Sequence, residues 1–230
     1  MSLTASTVLY AAAGGILPAL GWLWFFLHED PHPEPRTKLV ETFVAGMVIV
    51  PVAILGEEVI TTLTGSTSGE TLVLWAVLEE ALKLTAAWLV ALRTQFLDEP
   101  VDAIIYLITV SLGFAAVENS LFLFSTLSGV SFLNTLLTGG LRFVGATLVH
   151  VVSSGLLGAF IAWGYYRKYS LRVEAVIIGV VIASLLHSIF NLLIMNTAQT
   201  QLLYIFSGVW AGIIVLMLLF ERVKYIERTH

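Results

Sequence analysis

The chain has 230 residues, 58% of them hydrophobic and only 12% charged, with a formal net charge of −5 and no cysteine. That is the composition of a membrane protein. It excludes disulfides and thiolate metal sites, leaves only His and carboxylate ligands for any zinc, and offers no basic patch for nucleic acid. The N-terminus lacks a basic n-region, so a cleaved signal peptide is not expected.

In chain order, seven apolar spans can be read, roughly Leu3–Leu27, Leu39–Leu63, Thr71–Leu92, Ala103–Leu127, Leu141–Tyr165, Ala175–Ile194 and Leu202–Phe220. Each approaches or exceeds the ~20 residues that a spanning helix needs. The expectation is an all-α fold: one polytopic helical bundle over residues 1–230, integral to a membrane. The first span ends in a stretch with prolines at 31, 33 and 35, which favours an extended loop. Pro51 should kink the second span. Loop 4, read as Ser128–Gly140, is rich in Gly, Ser and Thr and is expected to be able to move aside. No internal repeat is evident.

The basic residues set an orientation. Arg36, Lys38, Arg93, Arg167, Lys168, Arg172, Arg222, Lys224 and Arg228 all fall in loops 1, 3 and 5 or the C-terminal tail. The other side has none, unless Arg142 is counted at the head of span five. By the positive-inside rule the N-terminus lies outside and the C-terminus is cytoplasmic. An even number of spans would destroy that bias.

The polar groups inside the spans are Glu79, Glu80, Lys83, Glu118, Asn119, His150, Ser153, Ser154, His187 and Asn191. A charged residue at a helix centre costs ~2.5–3.5 kcal/mol on insertion scales, so three within five residues of span three need a reason. Glu79 and Lys83 are i,i+4, and Glu80 and Lys83 are i,i+3, so one ammonium reaches either carboxylate but neutralises only one. An ion pair that fixes which carboxylate is ionised is expected. At ~1.5 Å of rise per residue, Glu79, His150 and His187 each lie ~12 Å below the outer surface and Glu118 ~8 Å below it. Helices running in opposite directions thus put two glutamates and two histidines at one level, which argues for a shared site in the outer half of the membrane.

Each residue also has a plainer reading. Glu79, Glu80 and Lys83 fit a structural ion pair, and Glu118 with Asn119 fits interhelical hydrogen bonding. A lone membrane histidine can be a packing donor. Asn191 is i+4 from His187 and Ser154 is i+4 from His150, so each pair shares a helix face; Ser154 can simply permit close packing, with Gly155 and Gly158. Glu57 and Glu58 lie near the outer end of span two and are expected to be solvated. His28, His32 and His230, in a loop or tail, are expected to be inert.

Taken together, Glu79-Glu80-x-x-Lys83, Asp102-Ala-Ile-Ile-Tyr106, Gly113-Phe-Ala-Ala-Val-Glu-Asn119, His150-x-x-x-Ser154-Gly155-x-x-Gly158 and His187-x-x-x-Asn191 resemble the PrsW family, over about residues 70–195. That family belongs to the superfamily of glutamate-dependent intramembrane proteases, which includes the type II CAAX prenyl proteases. The resemblance implies a multi-pass protease of a prokaryotic cell membrane acting on membrane-associated proteins. In bacteria, PrsW-type members release anti-sigma factors by an extracytoplasmic first cut. One departure concerns roles: the CAAX branch ends its second motif in His, where this chain has Glu118.

Peptide hydrolysis needs an activated water, a stabilised oxyanion and a protonated leaving amine. Two versions stay open. Without a metal, Glu79 or Glu80 is the general base, His187 and Asn191 donate to the oxyanion, and His150 orients the water or protonates the amine; the resemblance to the CAAX branch implies this version. With a metal, Glu79, Glu118, His150 and His187 ligate zinc and a second glutamate is the base. Lys83, Asn119 and Ser154 are supporting residues in both. The expected partners are the lipid bilayer and a single-span or lipid-anchored protein substrate. Other classes fit part of the pattern: a proton- or cation-coupled transporter, or a non-catalytic membrane scaffold. A conduction path would need polar groups through the full depth, whereas these form one layer near one face.

Overall fold

The structure is a computed structural model that describes residues 5–65, 68–127, 132–196 and 202–226. Among these the chain is all helix: α1 (Ala5–Leu27), α2 (Arg36–Thr64), α3 (Gly69–Ala87), α4 (Pro100–Leu127), α5 (Phe132–Gly164), α6 (Tyr169–Asn196) and α7 (Leu202–Lys224). A π-helical turn, Trp88–Leu92, prolongs α3. Six of the seven helices are long and apolar enough to cross a bilayer. The exception is α3, whose own composition includes Glu70, Glu79, Glu80 and Lys83. With its π turn it still rises ~36 Å, enough to span. The expected loop at Ser128–Gly140 is corrected: α5 begins at Phe132, so most of that stretch is helix, and residues 128–131 lie outside the described residues. His230 lies outside them too. Pro51 does not interrupt α2.

The bundle is built around α4. Every residue from Val101 to Ala116 is buried, as a helix apolar on all sides requires. α1, α2 and α5 pack directly on it, α3 and α6 pack on each other, and α7 lies against α5. Val44, Val48, Val52, Leu55 and Val59 of α2 are exposed; such a stripe suits contact with lipid. The α2–α4 crossing depends on two glycines facing each other's backbone. A Cβ on Gly46 would stand 2.0 Å from the Val110 carbonyl oxygen, and one on Gly113 2.0 Å from the Phe43 carbonyl oxygen. Neither backbone can yield without parting the helices, so Gly113→Ala should cost about 1–3 kcal/mol or more. A detergent melting temperature that does not fall in that variant would show the crossing to be looser than drawn.

The odd-numbered loops and the end of α7 share one end of the bundle. His32 Nδ1 lies 3.0 Å from Glu99 Oε2, the Tyr165 hydroxyl donates to the Leu97 carbonyl at 3.0 Å, and Lys224 Nζ donates to Glu29 Oε2 at 3.1 Å. At the opposite end Gly65, at φ 75°, stops α2 in the left-handed conformation that glycine adopts freely. Ser68 then caps α3 by accepting from the Thr71 N–H. The Trp75 indole donates to the Glu57 carbonyl at 3.1 Å and ties α3 to α2.

Candidate active site

α3 turns its charged face inward: Glu79 is 5% exposed, and Glu80 and Lys83 are 0% exposed. Lys83 Nζ donates to Glu80 Oε1 at 2.8 Å and, more loosely, to Glu79 Oε2 at 3.4 Å. It also lies 2.7 Å from His150 Nδ1 and 4.5 Å from the centre of the Phe114 ring. An ammonium has only hydrogens to offer, so Nδ1 of His150 must accept. The neutral imidazole then carries its proton on Nε2, which donates to Glu118 Oε2 at 2.8 Å.

Glu80 is held on both oxygens. Its Oε1 faces Lys83 and His187 Nδ1, the latter at 3.0 Å, and its Oε2 accepts from the Ser154 hydroxyl at 2.9 Å. His187 therefore donates from Nδ1 and leaves the Nε2 lone pair free, 3.9 Å from Glu79 Oε2. His150 Nδ1 is also 3.9 Å from that oxygen. The two rings sit edge to face with centres 4.8 Å apart. Each imidazole thus has a carboxylate on its far nitrogen, Glu118 for His150 and Glu80 for His187. This is the arrangement that fixes tautomer and orientation in metal-binding histidines.

Glu79, His150 and His187 each present a ligand atom, all within 4.8 Å of one another. They line a cavity of about 190 Å3, together with Glu57, Trp75, Glu118, Asn119 and Asn191. A wider hollow, lined also by Glu58, Thr61, Thr62 and Gly65, meets it at Glu57 and Trp75. The hollow lies at the end of the bundle where α2 turns into α3.

The structure sorts the expected residues. Glu79, His150 and His187 come together, and Asn191 is on the cavity wall. Glu80, Lys83 and Ser154 form a buried layer behind them; Ser154 is a hydrogen-bond donor to Glu80 and not only a small packing residue. Glu118, with a side chain 47% exposed, stands outside the ligand group on the far side of His150. Asn119 donates to Thr147 at 2.8 Å and joins α4 to α5. Glu57, expected to be solvated at the outer end of span two, is half-buried and lines the cavity. The signal that would have found it is depth: it lies seven residues from the end of α2, ~10 Å by helix rise, level with the others.

The donor set suits a metal. Two imidazoles and a carboxylate are a known catalytic zinc set, and tetrahedral bonds of about 2.0–2.1 Å place donor atoms roughly 3.3 Å apart. The 3.9 Å separations from Glu79 Oε2 need only a small contraction to meet that. Lys83 would have to release His150 Nδ1, and it keeps Glu80 when it does.

Comparison with known proteins agrees with this geometry. The profile of the family described as "PrsW family intramembrane metalloprotease" matches residues 34–220. The Protease PrsW of Geobacillus kaustophilus is 27% identical over 165 residues, covering 70% of this chain and 68% of its own. That of Oceanobacillus iheyensis is 26% identical over 198 residues, covering 83% and 86%. That of Bacillus subtilis is 26% identical over 198 residues, covering 84% and 85%. No solved structure matches. With six candidate spans and bacterial relatives, this is a multi-pass prokaryotic membrane protein. The chain belongs to the PrsW family and is an intramembrane peptidase.

Proposed function

We propose that the chain, acting as one membrane domain over residues 1–230, hydrolyses a peptide bond of a single-span or lipid-anchored protein near the outer leaflet. The observation that carries this is the convergence of Glu79, His150 and His187 on a polar cavity that joins a hollow at the α2–α3 turn. The eight basic residues described at the other end, Arg36, Lys38, Arg93, Arg167, Lys168, Arg172, Arg222 and Lys224, support the orientation that puts this turn outside. A substrate segment has to leave its helix before attack, because helical carbonyls are already hydrogen-bonded. It would then meet the cavity in extended form. A bacterial anti-sigma factor is the substrate class that the family resemblance implies.

In the reading we favour, His150 Nδ1, His187 Nε2 and Glu79 hold a zinc ion. Such an ion supplies Lewis acidity that activates water and polarises a carbonyl. The chain's own groups do the rest. Glu118 and Glu80 hold the two imidazoles in register from their far nitrogens. Glu79 is spent as a ligand in this reading, and only in the metal-free reading below is it the carboxylate placed to take a proton from water. Asn191, i+4 from His187 and on the cavity wall, is placed to donate to the developing oxyanion; one such donor is typically worth ~2.7–4 kcal/mol.

A second reading keeps the same residues without an ion. Its support is Lys83, whose ammonium already lies against His150 Nδ1 and Glu79. Elemental analysis of the purified protein, paired with cleavage of a reconstituted single-span substrate before and after chelation, separates the two. We expect stoichiometric zinc, loss of cleavage on its removal and recovery on its return. A metal-free protein with full activity would establish the second reading. A cut mapped by mass spectrometry to the cytoplasmic side of the substrate would overturn both.

A further inference from the structure

At the opposite end of the bundle, the α1–α2 and α3–α4 connections bring acidic side chains together. Glu34, Asp98 and Asp102 each place a carboxylate oxygen within 4.8 Å of the other two. Glu34 and Asp102 are buried, at 7% and 0% exposure; Asp98 is exposed. Some donors reach them. Asp102 Oδ2 accepts the N–H groups of Asp98 at 2.9 Å and Glu99 at 2.7 Å. The Tyr106 hydroxyl donates to Glu34.

The donors do not suffice. Asp102 Oδ1, Asp30 Oδ2 and Glu99 Oε1 are buried and have no hydrogen-bond partner. The only other such side-chain atoms among the described residues are the hydroxyls of Ser153 and Ser184, which belong to α5 and α6. Asp30 is 6% exposed, and its charge acts on Glu34. Cations are occupied elsewhere or marginal. Lys38 donates to Glu41 at 2.5 Å and to the Val90 carbonyl at 3.3 Å; the His32 ring meets Glu99, and its backbone N–H donates to Asp30 Oδ1 at 2.9 Å, which leaves Asp30 Oδ2 unanswered. Burial accordingly holds the carboxyls of Asp30 and Glu34 above their usual range.

Buried acceptors without donors call for a proton or a cation. One proton shared between Glu34 and Asp102 would answer that pair, but the third carboxylate, Asp98, and the unpartnered Asp30 Oδ2 beside them favour the cation. The donors are all oxygen, with no imidazole among the three, which selects a hard ion over zinc. Calcium tolerates irregular, carboxylate-rich sites, whereas magnesium demands near-octahedral geometry and retains its waters. Exposed Asp98 gives the ion a way in from water. We propose that Glu34, Asp98 and Asp102, with Asp30 adjoining, form a binding site for a calcium-like divalent cation that clips the α1–α2 connection to the start of α4. It is separate from the Glu79 centre: Asp102 and Glu118 are ~24 Å apart along α4 by helix rise.

The test uses the full chain in detergent micelles. Terbium stands in for calcium, with luminescence excited through Tyr106 beside Glu34, and calcium is the competitor. We expect saturable terbium binding displaced by calcium, and a melting temperature that rises with calcium. Both should persist in the His150→Ala/His187→Ala double variant, which removes the other centre. Asp98→Asn alters an exposed loop side chain and should keep the fold while weakening binding at least tenfold; Glu34→Gln should weaken it further. No saturable binding in the parent protein, or binding unchanged by both Asp98→Asn and Glu34→Gln, would overturn the proposal. So would a higher melting temperature in Glu34→Gln with no calcium response in the parent, because the carboxyls would then be sharing protons.

Discussion

Glu79→Gln should abolish detectable cleavage and leave the protein folded. The two adjacent glutamates are chemically alike but differently placed. Glu79 faces the cavity and receives only a loose 3.4 Å contact from Lys83, so Lys83 keeps its closer partner, Glu80, when Glu79 is neutralised. Loss of Glu79 as the general base of the metal-free reading removes about 10²–10⁴ in rate, and its loss as a ligand in the zinc reading takes the ion's hold away instead. Glu80→Gln should behave in the opposite way. Its carboxylate answers Lys83, His187 and Ser154 at once, and without it a fully buried ammonium keeps only the looser 3.4 Å contact with Glu79. Breaking a buried pair from one side typically costs 3–5 kcal/mol, so that variant should accumulate poorly and melt early. Cleavage in proteoliposomes and thermal unfolding in detergent, measured on both variants, read the two effects separately. Full activity in Glu79→Gln would remove Glu79 from the chemistry, and a stable, active Glu80→Gln would dissolve the distinction between them.

Removing Lys83 is the second large effect. Lys83→Met leaves Glu79 and Glu80 facing each other inside the bundle with no ammonium, and a loss of about 3–5 kcal/mol is expected. The diagnostic is the double variant Lys83→Met/Glu80→Gln. Replacing both members of a buried pair is often close to neutral, so the double variant should recover most of the lost stability. It should stay impaired in cleavage, because His187 Nδ1 no longer has a carboxylate to hold its tautomer. A Lys83→Met protein that melts with the parent would mean that the pair contributes nothing net, and that the charges are solvated.

The helices themselves were legible because lipid leaves the backbone no other solution. An apolar run of about 20 residues must satisfy its hydrogen bonds internally, and the read spans agree with α1–α7 to within about four residues, except that α5 and α6 begin earlier, at Phe132 and Tyr169. The early start of α5 escaped because Thr and Gly near Thr138–Gly140 read as loop, while helix propensity is a weak prior that packing overrides. The site's level was legible too, since rise per residue converts sequence position into depth; applying that to Glu57 would have added it. The sequence by itself therefore determined the composition of the polar layer and its height in the bundle. Which way each side chain points was settled only by packing. Glu79 and Glu80 are neighbours in sequence, but ~100° of helical turn sends one to the cavity and the other under His187. Glu118 lies at the right depth, yet α4 presents it to the far nitrogen of His150. The acidic cluster of Glu34, Asp98 and Asp102 was not legible at all, because its members come from the α1–α2 connection, the α3–α4 connection and the first turn of α4, which only the tertiary fold brings together.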